Sequence, residues 1–355
     1  MQRVVYLITL SINAVLFVFT NNSLTAQVIL EYEAEYSIEL DNESFLLPGL
    51  QSMTMDKEGN LYYCSLKEIL KFDSKGIFQK RISPIGRGPG EFENLIDCKT
   101  SDNYLVILSF NEFKVFYFNL SDLSFSHQVK INQVLTKQLA TSSDSLFFTL
   151  SDSYRTETPP SVVGYNSLNR DKGFEIGLVP NLAFVGRVLT YGGITSWKNL
   201  VFYAFASYSD IWCYDITTKK IKRYKSSPEY FEKSSEFEVN KLGDNQTRLR
   251  GYLFSKSRTV GLHSLKKNMI VQAIDTEYPW ENGEFKFDRI KRYLEFWDIN
   301  GTKVGTGIKT PKNSILNFSI GNKLYFSSNQ GFFENVAKAN NGERVKLMEI
   351  YRVIK

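Results

Sequence analysis

Two short patterns alternate six times along this chain, and that rhythm constrains the fold more than any single residue does. The first is a polar turn running into an apolar strand: "GNLYYC" at Gly59, "DNYLVIL" at Asp102, "SDSLFFTL" at Ser143, "KNLVFYAF" at Lys198, "KNMIVQAI" at Lys267 and "GNKLYFS" at Gly321. The second is a strand ending on an aromatic and, in most copies, a turn-forming acid or amide. It reads "ILKFD", "VFYFN", "VVGYN", "IWCYD", "LEFWD" and "MEIYR", closing at Asp73, Asn119, Asn166, Asp215, Asp298 and Arg352. Leu61, Leu105, Leu146, Leu200, Met269 and Leu324 occupy one position of the first pattern, at steps of 44, 41, 54, 69 and 55 residues.

Repeats of roughly 40 to 50 residues, each holding several short strands, are the signature of propeller blades. One four-stranded blade cannot bury both of its faces, whereas a closed ring of blades buries every face except the rims. The chain is therefore expected to be all-β, a six-bladed β-propeller. Its sixth unit ends at Lys355 after only three apparent strands, while "VILEYEAEYSIEL" (28–40) reads as a strand with no assigned blade. Pairing 28–40 as the outer strand of the last blade closes the ring and covers an otherwise open edge.

The 355 residues are 43% hydrophobic and 14% aromatic, sufficient for one large all-β domain. The first stretch carries one charge, Arg3, then an apolar run from Val4 to Phe19 broken by Ser11 and Asn13, then small or polar residues up to Ala26. That layout predicts a secretory signal peptide over 1–26; the competing reading, a membrane anchor, needs about 20 uninterrupted apolar residues. The mature chain, 27–355, is then a single periplasmic or extracellular domain with no membrane span. Cys64, Cys98 and Cys213 lie in apolar strands without CxxC spacing and read as small core residues. The two histidines, His127 and His263, are far apart in sequence, which argues against a histidine-rich metal site and leaves few bases for a catalytic triad.

Residues 53–82, "MTMDKEGNLYYCSLKEILKFDSKGIFQKRI", and the following "IGRGPGEFENLIDC" and "NYLVILSFNEFKVFYFN" resemble the NHL-type repeat. The likeness is close over 50–120 and reduces afterwards to strand rhythm and turn residues. The whole chain looks like the six-bladed propellers common in secreted and envelope proteins of Bacteroidota. That resemblance implies a choice among binding modules, lyases and lactonases, because the fold hosts all three. The lyases depend on metal-ligand histidines that this chain does not supply. The lactonases hold calcium with acids and amides around the central channel, and calcium is the cofactor under that alternative. The leading expectation is a binding module with no cofactor, recognising a glycan, a small molecule or an envelope protein, and not a nucleic acid.

"GRGPGEF" at 86–92 looks like a phosphate cradle. Its glycines at 86, 88 and 90 do not fit G-x-G-x-x-G, and no Lys-Ser/Thr pair follows. Gly86, Gly88, Pro89 and Gly90 are read instead as a structural turn between the first two blades, with Phe92 plugging the space between them.

Two stretched intervals hold the candidate recognition residues. Segment 219–267 has 13 Lys or Arg against 5 Asp or Glu, a net +8 in a chain of net +5. Within it, a basic insertion on the rim at about 226–260 presents Arg248, Arg250 and Arg258 to an anionic partner, or is only a solvated excursion. Ser227 and Pro228 suggest a helix start, while "TRLRGYLFSKSR" alternates like a strand or hairpin. The second interval places Tyr278 and Trp280 in a loop where aromatics stack on sugar faces or fold back onto the blade edge.

Overall fold

In the strands at the heart of each repeat the side chains are buried, apart from a half-buried first position in four of them. β3 (Leu61–Ser65) carries no exposed position, and its neighbours in the ring follow the same rule. A strand with one wet face alternates apolar and polar residues; one enclosed on both faces reads as a continuous apolar run. The architecture that encloses both faces is a ring of sheets, and the computed structural model shows six. It describes residues 28–40, 51–86, 88–109, 113–131, 138–150, 160–167, 173–178, 192–242, 246–276, 280–281, 284–285, 290–328, 338–339 and 341–355.

After β1 (Ile29–Ile38), blade 1 comprises β2 (Gln51–Met55), β3, β4 (Ile69–Phe72) and β5 (Phe78–Ile82). Blade 2 comprises β6 (Leu95–Thr100), β7 (Tyr104–Ser109), β8 (Lys114–Asn119) and β9 (Phe125–Lys130). Blade 3 has β10 (Leu139–Thr141), β11 (Leu146–Leu150), β12 (Pro160–Asn166) and β13 (Phe174–Leu178). Blade 4 has β14 (Gly192–Trp197), β15 (Leu200–Phe205), β16 (Ile211–Asp215) and β17 (Ile221–Tyr224). Two short helices follow, α1 (Glu236–Leu242) and α2 (Gln246–Phe254). Blade 5 is β18 (Arg258–Leu265), β19 (Met269–Asp275), β22 (Arg292–Asp298) and β23 (Lys303–Lys309), with the small hairpin β20 (Trp280–Glu281) and β21 (Glu284–Phe285) between its middle strands. Blade 6 is β24 (Ile315–Ile320), β25 (Lys323–Ser327) and β26 (Val345–Ile354), and its fourth, outer strand is β1. Among the described residues every pairing between these strands is antiparallel.

The core is divided into six apolar wedges, one per seam between neighbouring blades. Along β7, Leu105 and Ile107 enter the wedge shared with blade 1, while Val106 and Leu108 enter the wedge shared with blade 3. Along β15, Val201 and Tyr203 face blade 3, and Phe202 and Ala204 face blade 5. The period-two alternation of a strand is thus intact, but both of its phases are apolar. The outer strands mark the limit of enclosure: β17 buries only Tyr224.

The seam between blades 6 and 1 is closed by the N-terminal strand. β1 pairs with β26 from Ile29 opposite Ile354 to Ile38 opposite Val345. Beyond it the chain crosses to blade 1, where the Glu39 amide donates to the Gly76 carbonyl at 2.9 Å and the Phe78 amide to the Glu39 carbonyl at 3.1 Å. The Tyr36 hydroxyl donates to the Asp73 carbonyl at 2.6 Å. Gly76 has φ +80°, and a Cβ there would stand 1.7 Å from the Ser37 carbonyl oxygen, so only glycine permits this approach.

The segment before β18 departs from the sequence expectation. α1 starts after Ser235, whose carbonyl accepts the Val239 amide at 3.0 Å, and not at Ser227. The stretch expected as a strand or hairpin is α2. Leu249 and Leu253 recur at helical spacing, and Leu253 is fully buried.

Candidate functional site

The innermost strands β2, β6, β10, β14, β18 and β24 touch in cyclic order around the axis. At the end where each runs into its first turn they enclose a cavity of about 340 Å³, lined by 54–57, 99–102, 140–143, 194–196, 262–264 and 318–320. Ten of those residues are serine or threonine, so the cavity is polar without being strongly charged.

The hydroxyls are ordered. Thr100 Oγ1 donates to the Met55 carbonyl at 2.9 Å, Thr141 Oγ1 to the Thr100 carbonyl at 3.1 Å, and Ser196 Oγ to the Thr141 carbonyl at 2.5 Å. Ser319 Oγ donates to the Ser264 carbonyl at 2.6 Å. Each bond runs from one blade to its predecessor at the same level, which makes a ladder around the mouth. A hydroxyl that spends its proton this way keeps its lone pairs, so the wall presents mainly acceptors.

Asp97 organises the wall deeper in. Its carboxylate accepts Ser52 Oγ of blade 1 at 2.7 Å, the Cys98 amide at 2.9 Å and the Leu139 amide of blade 3 at 2.8 Å. Lys99 Nζ lies 2.9 Å from the same carboxylate. Burial works against the Lys99 charge, but Asp97 outweighs it and holds the ammonium above its ordinary range. His263 also lines the cavity. Burial, with the Lys99 charge adding to it, pushes its imidazole down to about 3, so it is neutral near pH 7. Among the described residues the His263 imidazole donates to no carboxylate, the bond that orients a triad base.

The acids at the mouth are engaged in turns. Asp56 accepts the Asn60 amide at 2.8 Å and the Tyr62 hydroxyl at 2.9 Å. Asp102 pairs with exposed Lys57. Asp144 reaches from blade 3 to accept the Asn103 amide at 3.0 Å. Asp73, Asp215 and Asp298, the acids of the second repeated pattern, cap their own turns by accepting amides two to four residues ahead. Among the described residues no three His, Cys, Asp or Glu side chains converge as metal ligands. A second hollow of about 560 Å³ adjoins the mouth through Met55, Asp56, Lys57 and Ile320 and runs over the seam to Glu33, Lys323 and Arg352.

Of the recognition residues singled out in the sequence, Arg248 and Arg258 lie away from this mouth. Arg248 is exposed on α2, in the segment that enters β18 at the end away from the cavity. The side chain of Arg250 lies outside the described residues, as do Tyr278 and the side chain of Trp280, whose backbone pairs with Phe285. Arg258 is fully buried as the first residue of β18, opposite Asp275 in register, with Nη1 3.4 Å from the Leu253 carbonyl. It supports α2 from beneath and meets no solvent. Gly86, Gly88, Pro89 and Gly90 lie in the link between blades 1 and 2, where the Gly88 amide donates to Glu91 at 2.8 Å; Arg87 is outside the described residues. Phe92 is fully buried in the wedge between those blades, 6.1 Å from the Phe116 ring. The cavity residues were missed in the sequence, although a signal exists: Thr100, Thr141, Ser196, Ser264 and Ser319 each precede the marker residue of their repeat by four or five positions.

No described helix is long and apolar enough to cross a membrane. No curated protein matches the chain by sequence. Among solved structures, a member of the duf4221 family from Bacteroides vulgatus superposes with a TM-score of 0.64 at 15% identity, over 93% of this chain and 99% of that one. A Bacteroides fragilis protein whose description is that of an exported protein superposes with a TM-score of 0.57 at 16% identity, over 94% of this chain and 97% of the other. At these identities the likeness is one of fold. The profile of the DUF5128 family, described as a 6-bladed beta-propeller, matches residues 42–269. With six blades in the structure and that match across most of the ring, the chain is a member of the DUF5128 six-bladed β-propellers.

Proposed function

We propose that this protein is a secreted binding module that takes a polar ligand rich in O–H donors, such as a glycan, at the turn-side mouth of its channel. The observation that carries the reading is the hydroxyl ladder around a cavity of about 340 Å³. A wall of acceptors with two lysines held by carboxylates, Lys57 and Lys99, suits a ligand that donates hydrogen bonds and offers an occasional acceptor. The adjoining hollow toward Lys323 and Arg352 gives a longer ligand room to continue. Export is supported by the leader-like residues 1–26 and by a Bacteroides fragilis protein of the same fold that is described as exported. Arg248 belongs to a separate surface and is not part of this site.

The test is calorimetric titration of the mature chain with neutral and acidic oligosaccharides, beside Lys99→Ala and Thr195→Val variants. Losing one charge-assisted or neutral hydrogen bond to a ligand costs about 1–3 kcal/mol, so affinity is expected to fall about five- to a hundred-fold. Binding that survives both substitutions unchanged would move the site elsewhere.

A further inference from the structure

We infer that Cys64 and Cys98 form a disulfide across the seam between blades 1 and 2 when the chain folds in the presence of a disulfide oxidant. Cys64 lies on β3 directly opposite Ser52 of β2, so the two side chains share one face of blade 1. That face looks onto blade 2. Cys98, on the innermost strand of blade 2, reaches the same spot: its amide donates to Ser52 Oγ at 3.2 Å and its thiol to the Ser52 carbonyl at 3.6 Å. Both cysteines are fully buried in the wedge that joins the blades. Burial, followed by a hydrogen bond with the Cys98 thiol, holds the Cys64 thiol well above its ordinary range. The third cysteine, Cys213, belongs to the wedge between blades 4 and 5.

Thiols enclosed in the wedge are out of reach of a dissolved oxidant, so the bond is made before the seam closes. With glutathione disulfide as oxidant, one cysteine thiolate attacks a glutathione sulfur and expels one glutathione thiolate. The second cysteine thiolate then attacks the mixed disulfide and expels the other. Two cysteine sulfurs are oxidised, the glutathione disulfide is reduced to two thiols, and the two cysteine protons end on glutathione.

The full chain, unfolded and reduced, is diluted into native buffer containing reduced and oxidised glutathione, and the folded monomer is alkylated and digested. The expected result is one link between the peptides carrying Cys64 and Cys98, with titratable thiols falling from three to one and Cys213 free. Cys64→Ser and Cys98→Ser variants should each retain two thiols and show no link. Export of the full chain into an oxidising periplasm of an expression host gives the same map without refolding. A folded product with three free thiols, or with glutathione on Cys64 or Cys98 in place of the link, overturns the inference.

Discussion

Replacing Ile38 with alanine tests whether the N-terminal strand is part of the cooperative ring. Ile38 is fully buried in the wedge that joins the strand to Met53, Leu61 and Tyr63 of blade 1 and to Phe318 and Tyr325 of blade 6. The substitution removes three carbons, and at about 0.8 kcal/mol for each the transfer loss is about 2.4 kcal/mol. A residual hole of roughly 50 Å³, at about 24 cal/mol per Å³, adds about 1.2 kcal/mol. The expected cost is therefore about 3–4 kcal/mol. Unfolding entropy of about 2.1 cal/mol/K per residue gives a chain of 355 residues about 0.7 kcal/mol/K, so Tm should fall by about 5 °C. Differential scanning calorimetry reads this directly. Ile29→Ala is the control, because Ile29 lies on the same strand but is 55% exposed; it should shift Tm by no more than about 1 °C. An unchanged Tm for Ile38→Ala, or equal shifts for the two variants, would show that the ring melts without reference to its clasp.

Gly76→Ala forces a left-handed backbone on a β-carbon and drives it into the Ser37 carbonyl, so it should detach the clasp from blade 1. Limited proteolysis should then cut within 28–40, and a cleavage pattern identical to the wild type would refute the seam geometry. His263, lowered from 6.5 to about 3, stays neutral in the folded ring while the unfolded chain protonates below about pH 6.5. Its contribution is complete above that pH and is lost as pH falls toward 3, at up to about 1.4 kcal/mol per pH unit. His263→Gln should flatten the fall of Tm between pH 6.5 and 4.5; parallel curves for the two proteins would mean that His263 is hydrated.

The ring was legible because its cause is local. Strands such as "LYYCS" and "LVFYAF" are apolar at consecutive positions, which only enclosure on both faces explains, and Asp73, Asp215 and Asp298 mark turns by their own hydrogen bonds. The closing strand was legible because the sixth repeat lacked a partner that 28–40 could supply. The channel was harder to see. Its ladder joins hydroxyls to backbone carbonyls of another blade, and a carbonyl leaves no trace in sequence. Arg258 misleads for a related reason: it sits in a basic run, and only the fold of α2 over the start of β18 removes it from water. α2 itself was obscured because "TRLRGYLF" fits a period of two as well as the Leu249–Leu253 spacing of a helix.

The pairing of β1 with β26 also sets an order of events during synthesis. Residue 29 is made long before its partner, residue 354, so the clasp is the last part of the ring that can form. Contacts of such sequence separation are slow to close, and until then β1 is an unpaired edge. Glu33 and Glu35 suit that interval. In the finished ring they pair with Lys323, Arg352 and Lys346; charges of one sign on an unpaired edge strand disfavour its pairing with a wrong neighbour.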